Sequence, residues 1–304
     1  MLLEDLLDEY LYHNLARGFT EKTIANKRHE FKHFKAFIHE KRAIKEIENI
    51  TSHDLKAYIR YKQQAGLQSQ SIVSLLKMIK AFFNWSVKES YLTENPMNKV
   101  DMPKVPKKMI TGFTENEVAR MINAFTYNNY FESRNKAVIA MLADTGIRSA
   151  ELRGLKNNDL NETTILINGK GRKQRNVFIS PHLKKILIRY ERMKKDYFLD
   201  KLVETDHYFL TYLGGGLSHI ALYDIIKLAG KRCGIEGKRV SPHTLRHFYS
   251  VQALNSGNID IFSLSKMLGH SDISTTQRYL NSMTDAQLQN KAMLSSPLSN
   301  LNKK

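Results

Sequence analysis

Between residues 98 and 112 the chain loses all hydrophobic periodicity: Pro103 and Pro106 stand among Lys104, Lys107 and Lys108, and no apolar residue recurs at helical or strand spacing. Proline removes a backbone donor and biases the preceding residue toward extended conformations, so this stretch reads as an extended basic connector. It divides the 304-residue chain into two parts, each long enough to bury a core of its own. The expected layout is a helical domain over residues 1–103, a basic linker over 104–112 and a second domain over 113–304.

The first part reads as four helices and no strand. Thr20 opens a segment in which Ile24, Phe31, Phe34 and Phe37 keep mostly helical spacing, with Lys27, Arg28, Lys32 and Lys35 between them; one face is apolar and the other basic. Thr51 and Asp54 give a capping-box start to a helix carrying Leu55, Tyr58 and Ile59, which Gly66 stops. A longer helix follows, with Ile72, Leu75, Leu76, Ile79, Phe82, Phe83 and Trp85. In the second part Thr114 and Glu117 form another capping box. Helices are predicted over 115–125 and 133–144, a strand pair over 163–167 and 175–179 turning at Asn168-Gly169, and mainly helices from 181 to about 293. The predicted fold class is mainly α, with a small antiparallel sheet in an otherwise helical second domain.

Lys and Arg outnumber Asp and Glu 47 to 30, for a net charge of +17. Residues 1–110 contribute +6, although the first ten carry −4, and the remainder contributes +11. A solvated helix face accounts for any one lysine, but the excess in both parts favours a polyanionic partner, nucleic acid or an anionic membrane. The apolar run 137–143 falls far short of the roughly 20 residues that span a bilayer, so a membrane role is not expected. The acidic N-terminus is unlike the basic start of a secretion signal, and Cys233 is the lone cysteine; both fit a reducing, cytoplasmic setting, with Cys233 read as a small packed residue.

Four stretches of the second part hold polar groups that packing does not ask for. In Thr145-Gly146-Ile147-Arg148-Ser149-Ala150-Glu151-Leu152, Gly146 can end one helix and Ser149 start the next. Arg148 then stands at a helix N-terminus as a seat for phosphate, with Glu151 on its face to orient it; a structural ion pair is the plainer reading. Gly169-Lys170-Gly171-Arg172-Lys173-Gln174-Arg175 places basic residues on a glycine-bearing turn. It is not a phosphate-binding loop of the Walker type, because a strand follows where a helix is needed. In His243-Thr244-Leu245-Arg246-His247, entered through Ser241-Pro242, His243 and Arg246 share a helical face. Its two histidines have zinc-helix spacing, but Thr244 replaces the required glutamate and no Cys or acidic partner is near, so no metal is expected. Finally Leu268-Gly269-His270 displays a histidine past a helix end, and Tyr279 follows nine residues later. Tyr279 is one of 14 tyrosines, most of which are expected in the core.

Together, in this order, Thr-Gly-Ile-Arg-x-x-Glu-Leu, the Gly-Lys-Gly hairpin, His-x-x-Arg-His, Leu-Gly-His and the tyrosine nine residues on resemble the tyrosine recombinase (phage integrase) family. The layout of a helical SAM-like core-binding domain, a basic linker and a catalytic domain is similar as well, nearly from end to end. Ile147 stands where leucine often precedes the arginine. With the core-binding region expected from the first residues, the extra arm-binding domain of lambda-type integrases is not expected, and the chain looks most like compact Xer-type or transposon-borne members.

The resemblance implies cleavage and rejoining of double-stranded DNA. Tyr279 would attack a phosphodiester to leave a 3′-phosphotyrosine and a free 5′-hydroxyl, and exchange would pass through a Holliday junction in a tetramer of this chain or with a related recombinase. Arg148 and Arg246 would clamp the phosphate, His270 would add a donor, Lys170 would protonate the leaving 5′-oxygen and His243 would assist proton transfer at the nucleophile. No cofactor and no metal would be required, since fixed cations meet the transition-state charge. The residues following Tyr279, with Met283, Ala286, Leu288 and Met293 at helix-compatible spacing, would pack on a neighbouring protomer, the alternatives being an autonomous role or disorder after Ser295. Two rival functions share much of this pattern: a type IB topoisomerase that relaxes DNA without exchanging partners, and a DNA-binding accessory protein that has lost catalysis.

Overall fold

The computed structural model describes residues 1–106, 111–169, 174–257, 259–270 and 272–280. It separates into two compact units, 1–108 and 109–304.

The first unit consists of α1 (Leu3–Ala16), α2 (Glu21–Arg42), α3 (Ser52–Gln64) and α4 (Ser69–Lys88), with single 3₁₀ turns at Ile47–Asn49 and Pro96–Lys99. Its boundaries follow local chemistry. The Thr20 hydroxyl accepts from the Thr23 amide at 3.3 Å, and Asp54 returns to the Thr51 amide at 2.9 Å, each satisfying a donor that a helix start leaves open. Ile72, Leu76, Ile79, Phe82 and Phe83 of α4 are buried against Phe31, Phe34 and Tyr58. At about 1.5–3 kcal/mol per buried large apolar side chain, this seam dominates the stability of the unit.

The second unit runs α5 (Glu115–Asn123), α6 (Tyr130–Thr145), α7 (Ser149–Arg153), β1 (Thr164–Asn168), β2 (Gln174–Phe178), α8 (Pro181–Tyr197), α9 (His219–Arg232), α10 (Pro242–Asn255), α11 (Ile261–Leu268) and α12 (Ser274–Leu280). Thr114 and Glu117 cap α5 reciprocally. The apolar run 137–143 forms the middle of α6 and is buried on every side, as expected of a helix that is apolar all round. It packs between α8 and α10, which ties the end of α6 to the residues of α10. Mainly helical structure with one small antiparallel sheet agrees with the predicted class. Among the described residues no helix is long and apolar enough to cross a membrane.

Three details differ from expectation. Asn168, expected in the turn, lies inside β1 and pairs with Gln174, so each strand reaches one residue further toward the connection than the sequence indicates. α6 begins at Tyr130 because Asn129 caps it through the Glu132 amide at 3.0 Å. The region after α8 is not continuously helical: 198–218 is irregular and is tied down where Leu210 O accepts from Tyr130 and Arg134, each at 2.9 Å. Cys233 is half-buried and packs against the main core.

Candidate active site

The last carbonyls of an α-helix have no intrahelical partner and carry the negative end of its dipole. At the end of α11, three carbonyls in succession each meet a different arginine. Met267 O accepts from Arg175 Nε, Leu268 O from Arg246 Nη2 and Gly269 O from Arg148 Nη2, all at 2.8 Å. One helix end thus gathers three cations contributed by β2, α10 and the start of α7.

Glu151 supplies the opposing charge. Both its oxygens accept from Arg175 Nη1 and Nη2 at 2.8 Å, and one accepts from Arg148 Nη1 at 2.9 Å. Its second oxygen also caps α7 through the Arg148 amide at 2.7 Å. Burial alone would raise this carboxyl, but the Arg175 fork and the Arg148 backbone and side chain hold it at about 2. Arg148 was expected to stand at a helix start with Glu151 orienting it, and the geometry has that form: Arg148 is the N-cap of α7.

Arg246 is nearly enclosed, 3% exposed, and donates to Gly146 O at 2.6 Å as well as to Leu268 O. Burial first, then repulsion from Arg148, brings its guanidinium down to about 10, opposed by Tyr279 and Glu151. It remains charged at neutral pH. A guanidinium has five N–H donors, more than these contacts of Arg148 or Arg246 engage.

His270 follows the left-handed Gly269, φ 65°, that ends α11, and its amide returns to Ser265 O at 3.0 Å. Its Nε2 lies 2.9 Å from Arg246 Nη2 and its Nδ1 lies 2.7 Å from Thr276 Oγ1. Desolvation and then Arg246, Arg148 and Arg175 push the ring down to about 4. Tyr279 sits on α12 with its ring stacked toward His270, centroids 6.2 Å apart, and edge-on to His247 at 5.5 Å. His243, on the solvent side of α10, is lowered by desolvation and by Arg239, Arg246 and Arg148.

Arg148, His243, Arg246, His270 and Tyr279 all line one cavity of about 1880 Å³. Lys170 lies outside the described residues, as do the residues after 280. Among the described residues no cluster of three His, Cys, Asp or Glu side chains is placed to hold a metal ion. His247, the second histidine of the zinc-like spacing, turns inward and is 6% exposed. Sequence reasoning assigned no role to Arg175, Thr276 or His247. For Arg175 a signal exists once β2 is placed: it shares a face with buried Val177, and an arginine on the inward face of a strand needs a partner. Thr276 is a buried hydroxyl that only the folded chain brings to a histidine.

The sequence model of the Phage integrase family matches residues 112–285, and that of the Phage integrase SAM-like domain matches residues 2–102. Tyrosine recombinase XerC of Anoxybacillus flavithermus is 30% identical over 92% of this chain and 93% of its own length. Tyrosine recombinase XerD of Halalkalibacterium halodurans is 29% identical over 90% of this chain and 91% of its own. The crystal structure of XerA recombinase has 26% identity and a TM-score of 0.55 over 97% of this chain and 99% of that one. A lambda integrase (75–356) dimer bound to a COC′ core site shares the fold, with a TM-score of 0.73 at 18% identity over 94% and 97% of the two chains. The chain belongs to the phage integrase family and is a tyrosine site-specific recombinase.

Proposed function

We propose that this site cleaves one strand of duplex DNA through Tyr279 and rejoins it to another. The phenolic oxygen attacks the phosphorus, a 3′-phosphotyrosine forms, and the 5′-oxygen leaves with a proton supplied by Lys170 from the connection between β1 and β2. Attack by a second strand's 5′-hydroxyl reverses the step, so the energy of the phosphodiester is kept in the ester. Arg148 and Arg246 hold the nonbridging oxygens, His270 adds a hydrogen bond and His243 takes part in proton transfer at the tyrosine. Exchange between two duplexes proceeds through a Holliday junction held by four protomers, all copies of this chain or shared with a related recombinase.

The observation that carries this reading is the placing of two guanidinium groups, two histidines and a phenol around one cavity. The arginines are held by carbonyls and Glu151, so they are oriented before any phosphate arrives, which is what stabilisation of a developing oxyanion requires. The chain's net charge of +17 supports duplex DNA as the polyanion, and solved relatives include a lambda integrase tetramer bound to a Holliday junction.

A nicked suicide duplex carrying the target site tests it, with the covalent adduct read on a denaturing gel. Tyr279→Phe should bind and form no adduct. Arg148→Ala should bind and form adduct about 10²- to 10³-fold more slowly, the usual loss for one preorganised donor. An adduct at the normal rate from Tyr279→Phe would refute the assignment. Relaxation of any supercoiled plasmid without recombinant product would favour topoisomerase action instead.

A further inference from the structure

Arginine has hydrogen-bond donors only. Arg246 Nη2, 2.9 Å from His270 Nε2, therefore makes Nε2 the acceptor and leaves the imidazole proton on Nδ1, facing Thr276 Oγ1 at 2.7 Å. Thr276 is fully buried and lies three residues before Tyr279 on α12, so the helix that delivers the nucleophile also delivers the Nδ1 partner. We propose that Thr276 is a positioning residue: its Oγ1 accepts the buried Nδ1 proton that the Arg246 contact at Nε2 selects, and it keeps that proton on Nδ1 once Arg246 turns to a phosphate, so that Nε2 alone changes state.

The consequence extends the role given to His270 above and rests on that reading. In the unloaded site Nε2 accepts from Arg246. A phosphate oxygen engaging Arg246 removes that donor and brings negative charge, and Nε2 then takes up a proton from solvent, giving the imidazolium, and donates it to the oxygen, while the Nδ1 contact with Thr276 is unchanged. The charged and titratable groups facing His270 are Arg246 from α10, Arg148 and Glu151 from α7, Arg175 from β2 and Tyr279 from α12. The excess of cations keeps the ring neutral until the phosphate arrives.

The test uses the full-length chain labelled with ¹⁵N-histidine. Long-range proton–nitrogen spectra distinguish the two tautomers, and His270→Gln identifies the signal. The proposal expects protonated Nδ1 in the wild-type chain and, because Thr276→Val leaves a buried Nδ1 proton without its acceptor at a cost that offsets the Arg246 contact at Nε2, a mixture of tautomers in that variant and recovery in Thr276→Ser. Single-turnover adduct formation by Thr276→Val should be about 10-fold slower with a shifted pH profile and unchanged DNA affinity, again recovering in Thr276→Ser. Protonated Nε2 in the unloaded wild-type chain overturns the proposal without recourse to any variant or to catalysis. So does Thr276→Val with the wild-type tautomer and pH profile. An absent adduct with the expected tautomer would count against the catalytic assignment and leave the role of Thr276 standing.

Discussion

Glu151 balances two guanidinium groups with one carboxylate whose side chain is 6% exposed. Removing one member of a buried ionic group leaves the others uncompensated, at a cost of about 3–5 kcal/mol. Glu151→Gln keeps the volume and removes the charge, so we expect it to destabilise the second unit by about 3 kcal/mol in urea unfolding and to slow adduct formation; wild-type stability would contradict the account. The histidines set a pH dependence of definite sign. An unfolded imidazole binds its proton near 6.5, whereas folded His270 resists protonation down to about 4. Its contribution is therefore complete above 6.5 and is lost as pH falls through that interval, because the unfolded chain binds more protons there. Folded His243 and His247 are also lowered, so they act in the same direction. Glu151 moves from 4.5 to about 2 on folding, so its contribution is lost only below 4.5. The melting temperature should fall between pH 7 and pH 5, and His270→Gln should flatten part of that fall; a level profile in the wild type would show that these rings are not held neutral.

At the scale of elements, the site is built where helices stop. Gly146 ends α6 at φ 61° with no room for a β-carbon, which would lie 2.3 Å from the Tyr249 ring. Gly269 ends α11 at φ 65°, and a β-carbon there would sit 3.0 Å from Arg175 Nη1 and 3.1 Å from its Cδ. The left-handed conformation alone costs a substituted residue about 1–2 kcal/mol. We expect Gly269→Ala to lower stability by at least that amount and to slow adduct formation by displacing Arg175; unchanged activity would mean that the helix end does not organise the arginines. These stops, together with the caps at Thr20, Thr51 and Thr114, were legible in the sequence because each rests on bonds between residues at most a few positions apart. Strand existence was legible as well, but its register was not: Asn168 reads as a turn former and is held in β1 by pairing with Gln174. The fan of Arg148, Arg175 and Arg246 onto adjacent carbonyls was illegible, because nothing local marks Met267 O or Gly269 O as the partner of a residue 92 or 121 positions away.

The whole molecule presents two units with separate cores, and its positive charge is divided between them, +6 in residues 1–110 and +11 in the rest. If each unit contacts DNA phosphates, the chain between them makes the second contact intramolecular once the first has formed. Linked contacts of this kind raise affinity by about 10²–10⁴ over either alone, with no new interaction. Each unit by itself also releases fewer counterions, so its affinity should fall less steeply with salt. A specific protease site placed within residues 104–112, cut after purification, separates these effects. Cutting leaves both cores and every side-chain charge intact, so if all DNA contacts lay in one unit no change would follow. Bipartite binding instead predicts a loss of about 10²-fold or more in fluorescence anisotropy and a shallower salt slope for the nicked protein. It also predicts that DNA added first preserves the complex after cutting, with dissociation then proceeding one unit at a time. Equal affinity and equal salt slope before and after the cut would place all productive contacts in one unit.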